Sequence, residues 1–123
     1  MIDHLTLHVS DLDRSVAFYS AALAPLGYSV LMRFPFAAGL GADGKPDLWL
    51  AQGKVEPFHL AIAAKTSQAV DGFHAAALAA GGTDNGAPGL RPQYHPGYYG
   101  AFVHDPDGYN LEAVCHTGVT GQS

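Results

Sequence analysis

Four shortages in the sequence each remove a class of function. Cys115 is the sole cysteine in 123 residues, so no intramolecular disulfide framework can form, and a reducing cytoplasm suits the chain. Only six residues are basic (Arg14, Arg33, Lys45, Lys54, Lys65 and Arg91), and they are scattered among eleven acidic ones. With no basic stripe to neutralise a phosphate backbone, nucleic acid is not an expected partner. Long apolar runs are also missing. The longest alanine-rich stretch, Ala75 to Ala80, is far too short to cross a bilayer, so no membrane partner is expected. The opening MIDHLTLHV has neither the charged start nor the apolar stretch of a secretory signal, which gives a cytoplasmic expectation.

What is present suits one globular domain. The chain is 48% hydrophobic and 14% charged, with a net charge of −5, and it is long enough to bury a core without staples. Shifting the sequence by 55 positions (59 − 4 = 55) lays HLTLHVSDLDRSVAFYSAALAPLG over HLAIAAKTSQAVDGFHAAALAAGG without a gap. His4 then falls on His59, Leu5 on Leu60, Phe18 on Phe73 and Gly27 on Gly82.

Each copy opens with period-2 alternation. Leu5, Leu7 and Val9 take one face and His4, Thr6 and His8 the other, while Leu60 and Ile62 oppose His59 and Ala61. A helix follows in each. Ser10 or Asp11 can cap the first, whose Leu12, Val16, Tyr19 and Leu23 recur at three- and four-residue spacing. The second starts near Thr66 or Ser67, buries Val70, Phe73 and Ala77, and stops at Gly81-Gly82. Turn signals then divide the remainder into strands near 28–33, 37–41 and 47–51 in the first copy, and near 90–93, 99–104 and 109–114 in the second. Asp105-Pro106-Asp107-Gly108 is a hairpin turn. The pattern is strand, helix, three strands, twice, an α+β chain. It forms one domain over 1–118, with module one about 1–53, module two about 56–116, and a polar tail at 119–123.

The chemistry gathers on the faces opposite the core. His4 and His59 are either hydrogen-bonded sheet histidines or ligands pointing into a cavity shared by two packed halves. In the last strand Leu111 and Ala113 face the core and Glu112 points the other way, where burying an unpaired carboxylate would be costly. Two imidazoles and a carboxylate suit Zn, Ni, Mn or Fe. The alternative is a Glu112 at the wet rim with an ordinary donor.

Three motifs in order resemble the vicinal-oxygen-chelate superfamily of glyoxalases, bleomycin-resistance proteins and extradiol dioxygenases. They are HLTLHVSDLDRSVAFYSAAL, Phe58-His59-Leu60-Ala61, and Asp105-Pro106-Asp107-Gly108-Tyr109-Asn110-Leu111-Glu112. The resemblance implies that the tandem βαβββ modules form a cup-shaped mixed sheet with helices outside. It also implies His4, His59 and Glu112 as ligands of a divalent metal, and a small-molecule substrate chelated through two neighbouring oxygens. A homodimer is implied too, because modules of this family pair to complete the cup, and in many short members the first-strand histidine joins ligands of the other chain. Whether His4 meets His59 within one chain or across two stays open.

Departures from named members narrow the reaction. The repeat sets Trp49 opposite Glu112, where the similar glyoxalase I carries a second carboxylate, so proton-shuttling isomerisation of that kind is not expected. Fosfomycin-resistance transferases share the triad and Thr6 is suitably placed, yet no Arg or Lys follows Glu112 to hold a phosphonate. Extradiol dioxygenases share the triad, and aromatic residues here suit their substrates.

The segment 85–100, NGAPGLRPQYHPGYYG, reads as irregular from its Gly and Pro content. It is either a lid over the metal or a packing and dimer contact. As a lid it would supply His95 or a tyrosine hydroxyl as acid/base beside Glu112, Arg91 to grip an anionic group, and Tyr94, Tyr98 and Tyr99 to line the site with Thr6, His8 and Trp49. Two functions from different classes follow. One is a metalloenzyme with lyase/isomerase, transferase or dioxygenase chemistry. The other is a metal-free drug-binding module of the bleomycin-resistance type. The retained triad favours the enzyme.

Overall fold

The computed structural model describes residues 1–119. In chain order the elements are β1 (Leu5–Val9), α1 (Leu12–Leu23), a 3-10 turn (Ala24–Leu26), β2 (Ser29–Arg33), β3 (Ala37–Gly41), β4 (Leu48–Gln52), β5 (His59–Ala63), α2 (Ser67–Ala79), β6 (Thr83–Leu90), β7 (Tyr99–His104) and β8 (Asn110–Cys115). Strand, helix and three strands therefore occur twice, as the repeat predicts. The polar tail expected at 119–123 lies outside the described residues except for Val119.

Local chemistry accounts for the helix ends. Asp11 accepts the Arg14 N–H at 3.1 Å and Thr66 accepts the Ala69 N–H at 3.1 Å, each satisfying a donor that the first turn would leave unpaired. Pro25 and a left-handed Gly27 (φ 87°) close the first helix. The buried stripes, Leu12, Tyr19 and Leu23 on α1 and Val70, Phe73 and Ala77 on α2, pack into one core with Leu7, Val9, Leu50, Val103 and Leu111. Each such fully buried large side chain contributes about 1.5–3 kcal/mol of transfer free energy.

The strands form two four-stranded mixed sheets, ordered β1-β4-β3-β2 and β5-β8-β7-β6. In each, the first strand runs parallel to the fourth and the other pairs are antiparallel. The registers show the repeat in three dimensions. Thr6 sits beside Trp49 and Ala61 beside Glu112, with Thr6 and Ala61 again 55 apart (61 − 6 = 55). Across the next ladder Trp49 opposes Gly39 and Glu112 opposes Phe102. Strands β1 and β5 are sheet edges, each paired on one side.

One expected strand moved. Instead of 90–93, β6 occupies Thr83–Leu90, and residues 91–98 form the turns before β7. The Gly and Pro content of 85–90 argued against regular structure, but register shifts between Asp84 and Gly86 and between Gly86 and Gly89 absorb it. Pro88 falls within the second shift, on an edge strand where no ladder N–H is required of it.

The Asp105–Gly108 turn is held from inside. Asp105 Oδ1 accepts the Asp107 and Tyr109 N–H groups at 2.9 and 2.8 Å, Oδ2 accepts the Tyr19 hydroxyl at 2.6 Å, and Gly108 takes φ 91°. Burial, the main cause, pushes the Asp105 carboxyl above its ordinary range. Asp107 in turn accepts the Ser10 N–H and the Arg14 guanidinium, both at 3.0 Å, and so ties the second module's hairpin to the start of α1.

Candidate metal centre and its cavity

Glu112 stands on the non-core face of β8, as strand parity predicts, yet it is only 2% exposed. Three side chains enclose it. His59, projecting from the first residue of β5, places Nε2 2.8 Å from Glu112 Oε1, and the Tyr98 hydroxyl donates to Oε2. Phe102, opposite Glu112 in the ladder, lies against the His59 ring at 6.1 Å between centroids. Gly100 makes the crowding possible, since a Cβ there would sit 3.2 Å from both Glu112 Oε2 and the Tyr98 ring. His59 itself is 47% exposed and opens onto a cavity of about 490 Å³ lined by His59, Tyr94, Tyr98, Phe102, Asn110 and Glu112.

Burial, and next the bond to Glu112, push the Tyr98 phenol up to about 12. Tyr98 is therefore a proton donor at any physiological pH, and Glu112 Oε2 accepts from it. Neither Arg nor Lys is among Glu112's bonded partners. Arg91 stands one layer away. Its guanidinium lies 5.4 Å from the Phe102 ring centre and donates to the Ala87 and Gly89 carbonyls at 2.8 and 2.9 Å. It has no carboxylate partner among the described residues.

The other residues singled out from the sequence divide by location. Thr6 and His8 are exposed on β1, on the face of the first sheet that carries Trp49. Trp49 lies over Gly39, where a Cβ would come within 2.9 Å of its ring, and it stacks with Phe34 at 6.3 Å. His4, just before β1, is bonded to Asp3 at 2.7 Å. Within one chain His4 does not join His59 and Glu112. Among the described residues no three His, Cys, Asp or Glu side chains gather closely enough to hold an ion. Tyr94 and Tyr98 line the cavity. Tyr99 faces the core side, its hydroxyl donating to Asp71 on α2 at 2.6 Å. His95 turns from the cavity toward His116, 2.9 Å away.

Two lining residues escaped the sequence reading. Phe102 and Asn110 look like ordinary strand positions, but both share Glu112's face, one across the ladder and one two residues earlier on β8. That parity was the available signal.

A family model of the glyoxalase/bleomycin resistance protein/dioxygenase superfamily matches residues 1–113. The chain belongs to that superfamily. Among relatives of this glyoxalase-superfamily chain, the metallothiol transferase FosB of Shouchella clausii (strain KSM-K16) is 30% identical over 125 residues, covering 98% of this chain and 82% of that protein. A glyoxalase/bleomycin resistance protein from Albidiferax ferrireducens T118 superposes with a TM-score of 0.79 at 27% identity, over 92% of this chain and 96% of the other. A lactoylglutathione lyase from Agrobacterium tumefaciens shares the glyoxalase fold with a TM-score of 0.70, at 19% identity over 95% of this chain and 94% of its own. No described helix is long and apolar enough to cross a membrane.

Proposed function

We propose that this protein is a divalent-metal-dependent enzyme acting on a small oxygenated substrate through two neighbouring oxygens, and that it works as a cytoplasmic homodimer. Its metal ligands are His59 and Glu112 of one chain and His4 of a second copy. The observation that carries the reading is the enclosed Glu112 carboxylate, bonded to an imidazole and a phenol but to no Arg or Lys, at the edge of a cavity that His59 enters. A carboxylate in such surroundings is costly without a positive partner. Two histidines and a glutamate fit Zn, Ni, Mn or Fe, and His4 occupies the repeat-equivalent position on the other module with only its neighbour Asp3 bound. When bound, the ion would supply Lewis acidity to charge building on substrate oxygen.

The chain's own groups divide the remaining work. The Tyr98 hydroxyl, held protonated, donates to Glu112 or to a substrate oxygen. Arg91 offers its unpaired charge to an anionic substituent, with Phe102 beneath it. Thr6, His8 and Trp49 of the partner's module would form the facing wall. His95 does not reach the site: it meets only the edge of the Tyr98 ring, and both its nitrogens are bonded elsewhere, to His116 and to the Gly97 N–H. Likeness to a metallothiol transferase supports metal dependence and puts group transfer ahead of lyase/isomerase or dioxygenase chemistry.

A second reading has its own observation. A largely apolar cavity of about 480 Å³ is walled by Leu5, Leu48, Leu60 and Ile62, with Asp3, Asp47 and Lys65 also lining it, and would suit a metal-free small-molecule binder.

Elemental analysis of protein purified without a metal-affinity tag separates the two. About one ion per chain is expected in the wild type. His4→Ala and His59→Ala should each abolish binding while keeping the fold. Refolding the two variants together should restore part of it, because a mixed dimer rebuilds one intact site. Retained affinity in His59→Ala would sink the assignment, and no recovery on mixing would place the whole site within one chain.

A further inference from the structure

His95 and His116 come from separate segments, the β6–β7 loop and the residues after β8, and neither lines the cavity. His95 Nε2 and His116 Nδ1 are 2.9 Å apart with ring planes 26° apart, so the rings meet edge to edge through one hydrogen bond. The direction of that bond follows from the other side of His95, where Nδ1 accepts the Gly97 N–H at 3.1 Å. An accepting nitrogen carries no proton, so the proton of His95 is on Nε2 and is donated to His116 Nδ1. Both imidazoles are neutral in this arrangement.

The pair boxes in Tyr98. His95 meets the Tyr98 ring edge-on at 5.4 Å, His116 at 5.5 Å, and Tyr94 completes the enclosure at 4.9 Å. The hydroxyl at the far end of that ring holds Glu112. Two backbone bonds also turn the loop, the Tyr94 N–H on the Arg91 carbonyl at 3.0 Å and the Tyr98 N–H on the His95 carbonyl at 3.1 Å. Arg91 and Tyr98 close its ends, with the Arg91 N–H on the Tyr98 carbonyl at 2.7 Å, and the Gly118 N–H donates to the Gly97 carbonyl at 2.8 Å. Gly97 is required there, because a Cβ would lie 2.5 Å from the His116 carbonyl oxygen.

We infer that His95 and His116 are the positioning residues of Tyr98. Their hydrogen bond clasps the 91–98 loop to the end of β8 and holds the phenol against Glu112. Its value to a metal site rests on the proposed function; its effect on Tyr98 does not. Glutamine at 95 can reproduce the Nε2–H donor and asparagine at 116 the Nδ1 acceptor, whereas alanine can do neither.

The test uses the metal-free protein first. Nitrogen–nitrogen coupling across the His95–His116 bond, and slow flipping of the Tyr98 ring, are expected by NMR in the wild type. His116→Ala and His95→Ala should average the Tyr98 ring signals, while His116→Asn and His95→Gln keep them resolved. An unchanged Tyr98 ring in both alanine variants would overturn the inference. Titration with Mn²⁺, followed by water-proton relaxation, then reads the consequence. His116→Ala is expected to weaken affinity about tenfold and His116→Asn to recover most of it, as for supporting residues around ligands. Equal affinity in all variants would remove the pair from any role at the site. A wild type that takes up no Mn²⁺ would overturn the metal reading alone, with the ring signals still deciding the pair.

Discussion

Tyrosine hydroxyls do much of this molecule's long-range bonding, and five of the six tyrosines are tied to a carboxylate or a carbonyl distant in sequence. Tyr19 holds Asp105, Tyr98 holds Glu112, Tyr99 holds Asp71, Tyr28 holds Asp47, and Tyr109 donates to the His8 carbonyl at 2.7 Å. Such bonds make stability depend on alkaline pH. The hydrogen bond to Asp71, with burial second, moves Tyr99 from its ordinary value of 10.0 up to about 12. A phenol pushed up in the folded state contributes stability that is fully present below pH 10 and lost as pH rises toward 12. Tyr99→Phe should therefore be less stable than the wild type near neutrality, and the gap should close as pH climbs through that window. Urea midpoints at several pH values check this, and a constant gap would show that ionisation of Tyr99 is not linked to folding. At the same scale the sequence had real limits. Alternation was enough to put His59 and Glu112 on one face, whereas reading 85–100 as a lid assigned Tyr99 to the site, although that residue alternates onto the core side of β7. Nor could spacing reveal that His95 would find His116, since the two meet only because the loop folds back on the end of β8.

Elements show where local signals sufficed. Capping residues, the three-four spacing of apolar positions and the stop at paired glycines placed both helices within a residue or two, because those effects act within a few bonds. Strand β6 defeated the same reasoning, since its glycines and proline are tolerated only through bulges on a sheet edge, a fact of pairing rather than of propensity. Helix α1 also keeps a flaw. Ser15 is fully buried and its hydroxyl has no hydrogen-bond partner, the sole such side-chain atom among the described residues. A desolvated hydroxyl without a partner costs about 1–3 kcal/mol, so Ser15→Ala should stabilise the fold by about 1 kcal/mol, read from the urea midpoint. A loss of stability would mean that the hydroxyl has a partner in solution.

Across the whole molecule, two modules of one design have diverged on the faces that matter. The first module carries His4, Thr6, Trp49 and Gly39 where the second carries His59, Ala61, Glu112 and Phe102. Under the dimeric reading, one module supplies an imidazole and an aromatic wall, and the other supplies the carboxylate. Trp49→Glu would restore the lost symmetry, and Mn²⁺ affinity is expected to rise, about tenfold or more if a fourth ligand forms. Unchanged affinity would mean that Trp49 does not face the ion. The repeat in the sequence made the modules legible and even matched Trp49 to Glu112. How the two open faces meet was not, because under the dimeric reading that depends on a second chain.

Trp49 has one more consequence. It is the only tryptophan in the protein, and it lies partly open over a glycine on the very face proposed to meet the partner's cavity. The molecule thus carries a single native fluorophore at the place where assembly and ligand arrival would both change polarity. Subunit association and site filling can be followed by ultraviolet emission on unlabelled protein, with no background from any other indole.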